Sequence, residues 1–305
     1  MSIKIGLAGN PNSGKTTMFN NLTGAKQYVG NWPGVTVEKK SGKIKGHKDV
    51  ELVDLPGVYS LSPYTLEEVV TRNFMIDEKP DVVINIIDAS NIERNLYLTT
   101  QILELGIPTV IALNMIDIVK KRGDIIDINK LSKLLGCPVV KTSALKGEGT
   151  KEVANKAIQL AKSNNDNEFQ LQFSSEVKEA IEAIKKVIIN NNLSNENINE
   201  QWMAIKLFER DSNLLEKVRL SNSVSNELED IIKKCETEFD DDAEGIITSE
   251  RYEYIGTLIS KVLKKKNNSK HTVSDKIDKI VTNRILALPI FALVMWAVYY
   301  ISVVH

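Results

Sequence analysis

The sequence predicts an α/β fold, a doubly wound and mostly parallel sheet, followed by a small all-helical domain and one apolar C-terminal helix. Three observations predict it. Short apolar runs ending in polar residues alternate with helix-period segments over 1–162, helix periodicity alone follows over 174–263, and no charged residue occurs from Ile285 to Val304. Strands alternating with helices through short connections build right-handed βαβ units.

The elements follow in chain order. Ile3 to Gly9 reads as a buried strand, and Lys15 to Leu22 as a helix opening directly after it. Lys39 to Gly46 and Asp49 to Asp54 read as a strand pair turning at Gly46-His47. Asp81 to Asp88 and Pro108 to Asn114 are apolar runs of the kind found in strands covered on both faces. Between them Asn95 to Leu105 has helical period, and Gly106 stops it. Cys137 to Thr142 is the last strand and Lys151 to Ala161 the closing helix. Ser163 to Phe173, rich in Asn and Gln, reads as a linker. Three apolar stripes then read as one helical core: Val177, Ala180, Ile181, Ile184, Val187 and Ile188; Val224, Leu228, Ile231, Ile232 and Cys235; and Tyr252, Ile255, Ile259 and Val262. Residues 264–284 read as a basic tether and 285–304 as a transmembrane helix, since about 20 apolar residues span a bilayer. Lys261, Lys264, Lys265, Lys266, Lys270, Lys276, Lys279 and Arg284 precede that run and only His305 follows it, which keeps 1–284 on the cytoplasmic side.

Composition excludes several classes. With 42% hydrophobic and 26% charged residues, the 305-residue chain is neither collagen-like nor largely disordered. Lys plus Arg is 39 against 40 for Asp plus Glu, so there is no basic excess to suit a nucleic-acid partner. Cys137 and Cys235 form no CxxC pair, and His47, His271 and His305 are scattered, so no metal box emerges. Met1 to Gly6 does not begin a secretory signal.

Five segments carry chemistry. Gly9-Asn10-Pro11-Asn12-Ser13-Gly14-Lys15-Thr16, followed by Thr17, matches G-x-x-x-x-G-K-[ST] between a strand and a helix, so its N–H groups cradle phosphates. Lys15 then reaches the β- and γ-phosphates, and the Thr16 hydroxyl ligates Mg²⁺. Asp54-Leu55-Pro56-Gly57 supplies a carboxylate for that Mg²⁺ and, at Gly57, an amide for a γ-phosphate. Between them, Val29-Gly30-Asn31-Trp32-Pro33-Gly34-Val35-Thr36 is a Gly/Pro-rich loop whose Thr36 offers a second hydroxyl to Mg²⁺, with Trp32 read as covering the site. Asn114-Met115-Ile116-Asp117 presents a carboxylate to the two N–H groups of a guanine edge, and Ser143-Ala144-Leu145 a backbone N–H to its O6. Together and in order these motifs identify the base as guanine, so the ligand is GTP or GDP.

In this order the motifs resemble those of the small-GTPase superfamily, and more closely the bacterial ferrous iron transport protein B (FeoB) family. Val-Gly-Asn-Trp-Pro-Gly-Val-Thr-Val-Glu at 29–38 is the most specific carrier. The resemblance implies a small-GTPase-like phosphate-loop domain, a helical regulatory domain and the first membrane helix of an Fe(II) transporter in the bacterial inner membrane. It implies as partners the remaining permease part, small accessory Feo proteins and further copies of the chain. It also implies K⁺ stimulation, with Asn12 and the carbonyls of Gly30 and Trp32 holding the ion. The family places a multi-helix permease after this point, and the sequence ends after one apolar run.

Two departures from other GTPases matter. Val58 stands where many place a water-orienting Gln, and no arginine is marked as a finger, Arg72 and Arg94 being the nearest. Met115 replaces the Lys that covers the base elsewhere, which predicts weaker nucleotide binding and quick GDP release. The competing classes are a membrane-tethered switch that binds GTP without turnover and a ribosome- or RNA-associated GTPase.

Overall fold

The computed structural model describes residues 2–24, 27–62, 64–163, 169, 171–193, 199–266 and 287–304. Met1 to Lys264 form one compact unit and Lys265 to His305 a second.

Among the described residues the first unit contains nine strands: β1 (Ile3–Gly9), β2 (Gln27–Asn31), β3 (Glu38–Ile44), β4 (His47–Asp54), β5 (Val82–Asp88), β6 (Thr109–Asn114), β7 (Ile125–Ile126), β8 (Val139–Lys141) and β9 (Leu263–Lys264). Seven form one sheet in the order β2-β3-β4-β1-β5-β6-β8, and β7 pairs with β9 in a separate ribbon. Pairings from β4 through β8 are parallel, while β2, β3 and β4 are antiparallel. The helices of this unit are α1 (Lys15–Thr23), α2 (Leu66–Asn73), α3 (Ile92–Glu104), α4 (Ile116–Arg122), α5 (Ile128–Leu135), α6 (Thr150–Lys162), α7 (Ser175–Asn190), α8 (Glu200–Phe208), α9 (Ser212–Val218), α10 (Asn222–Phe239) and α11 (Ala243–Val262).

Strand alternation sorts the apolar residues onto two faces. Val110 and Ala112 of β6 join Ile84 and Ile86 of β5 against α1 and α6. Their neighbours Ile111 and Leu113 join Ile87 against α3 and α5. The apolar runs are continuous because both faces are covered.

Three local differences from the sequence reading have physical reasons. Gln27–Asn31 forms an edge strand, where a loop is expected from its Gly and polar residues; β3 supplies the pairing that the local sequence does not advertise. The hairpin turn sits at Lys45-Gly46, with Gly46 at φ +84°. The third apolar stripe does not join the helical core. Ile255, Leu258 and Val262 pack with Leu96, Leu103, Leu131 and Leu135, whereas Ile246 and Ile247, at the start of the same helix, pack with α7 and α10. A 20-residue helix is about 30 Å long, enough for α11 to serve both cores.

In the second unit the helix α12 (Ala287–Val304) has 18 residues. The expected transmembrane helix 285–304 is therefore corrected: among the described residues no helix is long and apolar enough to cross a membrane. Ile285, His271, His305, most of the tether and most of the linker 163–173 lie outside the described residues.

Candidate functional site

The motifs converge at the C-terminal ends of β1, β4 and β6 and just after β8. β1 ends at Gly9, and the chain turns through Asn12 (φ +64°) and Gly14 (φ +92°) into α1. A Cβ on Gly9 would stand 2.7 Å from the Ile86 carbonyl oxygen, and one on Gly14 2.3 Å from Asn114 Nδ2, so both positions require glycine. The N-terminus of α1 directs unpaired N–H groups and its positive dipole end at the loop.

The loop holds unmet hydrogen-bonding capacity. Asn10 and Ser13 are 2% and 1% exposed, yet both polar atoms of the Asn10 side chain and Ser13 Oγ have no hydrogen-bond partner among the described residues. Leaving such a group unpaired costs about 1–3 kcal/mol. Pro11 is half-buried, and Asn12, Thr16 and Thr17 are exposed beside it.

Lys15 Nζ donates to Asp54 Oδ1 at 2.6 Å. Burial pushes the Asp54 carboxyl above its ordinary value, and the Lys15 charge opposes that shift. The segment after Asp54 runs along the phosphate loop: Leu55 N–H donates to the Leu7 carbonyl at 3.0 Å and Val58 N–H to the Gly9 carbonyl at 3.4 Å. Gly57 faces Pro11, where an added Cβ would meet its Cα at 3.4 Å.

Trp32 does not cover the site. It is 5% exposed and packs with Val53, Leu55, Val58 and Phe74, meeting the Phe74 ring edge-on at 5.6 Å. Lys39 Nζ lies over its other side at 4.2 Å from the ring centroid. A buried indole anchors the loop to the sheet through its area. The loop remains outside that anchor: Gly34 and Thr36 are exposed, Val35 is half-buried, and the Val35 N–H donates to the Trp32 carbonyl at 3.3 Å. Gly30 lies on β2 opposite Lys39.

At the other end Asn114 ties three segments together. Its Nδ2 donates to the Ser13 carbonyl at 2.8 Å, and its Oδ1 accepts from the Ala144 N–H at 2.8 Å. Asn21 Nδ2 donates to the Ala144 carbonyl at 2.7 Å. Met115 adopts a left-handed conformation (φ +60°) that turns the chain into α4, and Asp117 pairs with Lys146 at 3.6 Å. The Ser143 N–H is engaged by the Glu148 carbonyl at 3.1 Å, while Leu145 is 89% exposed.

The nearest arginines are otherwise engaged. Arg72 makes two bonds to Asp211, at 2.6 and 2.9 Å, lies 5.3 Å from the Trp202 ring centroid and is 3% exposed. Arg94 sits 4.2 Å from the Tyr59 ring centroid. The sequence reading missed the link between α2 and the helical segment. Tyr64 donates to Glu244, and Arg251 binds Glu104 and Glu209. Nothing in the local spacing of residues 42 to 180 positions apart signals such pairs.

A family model for ferrous iron transport protein B matches residues 3–157, and a model for the FeoB cytosolic helical domain matches residues 173–264. The chain belongs to the FeoB family. Its sequence is 38% identical over 306 residues to the Fe(2+) transporter FeoB of Escherichia coli K12, covering 99% of this chain and 38% of that protein. It is 35% identical over 298 residues to the Fe(2+) transporter FeoB of Staphylococcus aureus MSSA476, covering 96% and 44%. The chain thus spans about two fifths of these FeoB relatives. Among solved structures, an S. thermophilus NFeoB variant bound to GDP matches with TM-score 0.81 and 45% identity over 86% of this chain and 100% of that one. S. thermophilus NFeoB bound to GDP·AlF₄⁻ and K⁺ matches with TM-score 0.76 and 47% identity over 85% and 99%.

Proposed function

We propose that residues 1–162 bind and hydrolyse GTP and act as the cytoplasmic GTPase of a ferrous iron transporter. The observation that carries this reading is the convergence of Lys15, Asp54 and Asn114 around one phosphate loop whose buried polar groups lack partners. In this reading Gly9, Asn10, Pro11, Asn12, Ser13, Gly14, Lys15, Thr16 and Thr17 hold the phosphates. Asn114, Met115, Asp117, Ser143, Ala144 and Leu145 hold the guanine, and Gly34, Val35, Thr36 and Gly57 close over the γ-phosphate. Thr16, Thr36 and Asp54 are the Mg²⁺ ligands, a hard oxygen set of the kind that cation takes. Mg²⁺ supplies charge neutralisation at the phosphates when bound.

The protein's own groups divide the work. Lys15 exchanges its bond to Asp54 for phosphate oxygens, and Asn114 keeps the phosphate loop and the 143–145 loop in one register. Val58 is 3% exposed and apolar, so it orients no water, and Arg72 is committed to Asp211. The family resemblance assigns the missing positive charge to K⁺ held by Asn12 and the carbonyls of Gly30 and Trp32, a reading supported by the K⁺-bound NFeoB relative. Iron transport itself belongs to the longer relatives, as does membrane association. Residues 174–263 are read as the helical regulatory domain, and accessory partners and oligomer formation rest on family resemblance.

Turnover of GTP by the purified chain, measured in K⁺ and in Na⁺ buffer, tests this reading. Faster release of phosphate in K⁺ is expected. Absence of phosphate release in both buffers overturns the GTPase reading, and equal rates overturn the K⁺ assignment.

A further inference from the structure

We propose that Gln101 of α3 is a positioning residue for the γ-phosphate contact at Gly57; this deepens the GTPase reading and rests on it. The segment that carries Gly57 leaves β4 at Asp54 and is tied down at two posts. At the near post the Leu55 N–H donates to the Leu7 carbonyl of β1 at 3.0 Å, and at the far post the Leu61 N–H donates to Gln101 Oε1 at 2.7 Å. Between them the Val58 N–H reaches the Gly9 carbonyl at a longer 3.4 Å. A backbone N–H can only donate, so the oxygen of the Gln101 amide is the atom that faces Leu61. Gly57 therefore lies on a short span whose far end is fixed by one side chain.

The residue type supports this role. Gln101 is 1% exposed and stands on α3 between Leu98 and Ile102, which pack with Val58 and Leu61. A leucine would fill that place with no polar group to bury. The glutamine brings an Nε2 amide that is buried and has no partner among the described residues, an unfavourable feature that packing alone does not offset. What it adds is the acceptor at Leu61. The post is also rigid: one turn further along α3, Glu104 accepts two bonds from Arg251 of α11, at 3.1 and 2.9 Å. A displacement of about 1 Å at a reacting contact can cost roughly a hundredfold in rate. Releasing Leu61 frees the span that carries Gly57, and only a nucleotide with a γ-phosphate senses the change, because GDP does not reach Gly57 in this reading.

Gln101→Leu and Gln101→Met each remove the acceptor together with the unpaired donor, and thermal unfolding checks that both variants of the full chain fold. GTP turnover is read alongside calorimetric affinities for GDP and for a non-hydrolysable GTP analogue, in Mg²⁺ and K⁺. Both variants are expected to lose at least about tenfold in kcat and to bind the analogue more weakly, with GDP affinity within about twofold of the parent. Gln101→Glu keeps an acceptor oxygen at the same place and is expected to recover turnover to within a few-fold. Equal weakening of GDP and analogue marks a merely structural role and overturns the proposal. So does a kcat and an analogue-to-GDP affinity ratio like the parent's in both removal variants. A parent that releases no phosphate overturns the GTPase reading instead, and the affinity ratio of the variants then decides the role of Gln101 by itself.

Discussion

Lys15 and Asp54, 39 positions apart in sequence, meet as an ion pair at 2.6 Å with side chains only 12% and 8% exposed. In the proposed function nucleotide phosphates and Mg²⁺ each claim one member of that pair, so both compete with the protein's own internal bond. Asp54→Asn removes the competitor for Lys15. Its affinity for GDP in the absence of Mg²⁺ is expected to rise several-fold, while the gain in affinity on adding Mg²⁺ is lost. Calorimetric titration with and without a chelator reads both effects.

In the proposed reading Asp117 decides the base. Its carboxylate is held by Lys146 at 3.6 Å, across partly exposed side chains, so releasing it to a guanine edge costs at most about 1 kcal/mol. Asp117→Ala is expected to abolish the preference for GTP over ATP. A variant that keeps the preference places the base elsewhere.

Asn12 has a left-handed backbone (φ +64°) and an exposed side chain in the phosphate loop. Asn12→Ala is expected to flatten the K⁺ dependence of turnover toward the Na⁺ rate while leaving GDP affinity within a few-fold. Steady-state rates across a K⁺ series are the measurement.

Arg72 and Asp211 form a bidentate pair with both side chains 3% exposed, and Asp211 also accepts the Leu214 N–H at 3.0 Å as the cap of α9. Asp211→Ala leaves a buried guanidinium alone and is expected to destabilise the protein by about 3–5 kcal/mol. The double variant Arg72→Met, Asp211→Leu is expected to recover much of that loss. Thermal unfolding of the three proteins checks it.

Glu209 makes an acid-sensitive joint. Burial alone would raise its carboxyl, but Lys206 and Arg251 more than offset burial and hold it at about 2, against an ordinary value of 4.5. A depressed folded value adds stability that is complete above the ordinary value and disappears as pH falls from about 4.5 toward 2, amounting to about 3 kcal/mol. Glu209→Gln is expected to flatten the stability curve in that window, as read by denaturant unfolding at stepped pH.

Local rules made much of the sheet legible. The strands that end at Asp88 and Asn114 are apolar runs that stop at polar residues, and the phosphate loop obeys a spacing that suits a strand–loop–helix turn. β2 was not legible, because its five residues are held by pairing with β3 and not by their own preference. Trp32 was legible as a cover over the site and not as an anchor, since its partners Phe74 and Lys39 lie on other elements. The α11 stripe was legible as apolar but not as facing α3 and α5, because periodicity states that a face is buried and not against what.

What the amino-acid order determined by itself is the proposed chemistry: the roles read for the glycines at 9 and 14, Lys15, Asp54 and Asp117 follow from bonding capacity and spacing along one chain. What only the tertiary structure decided is how those groups are occupied and joined: Lys15 to Asp54, Asp117 to Lys146, Arg72 to Asp211, and β7 to β9. The reason is that pairing across long sequence separations depends on which surfaces the packed elements bring within a few ångströms, and no local preference encodes that distance.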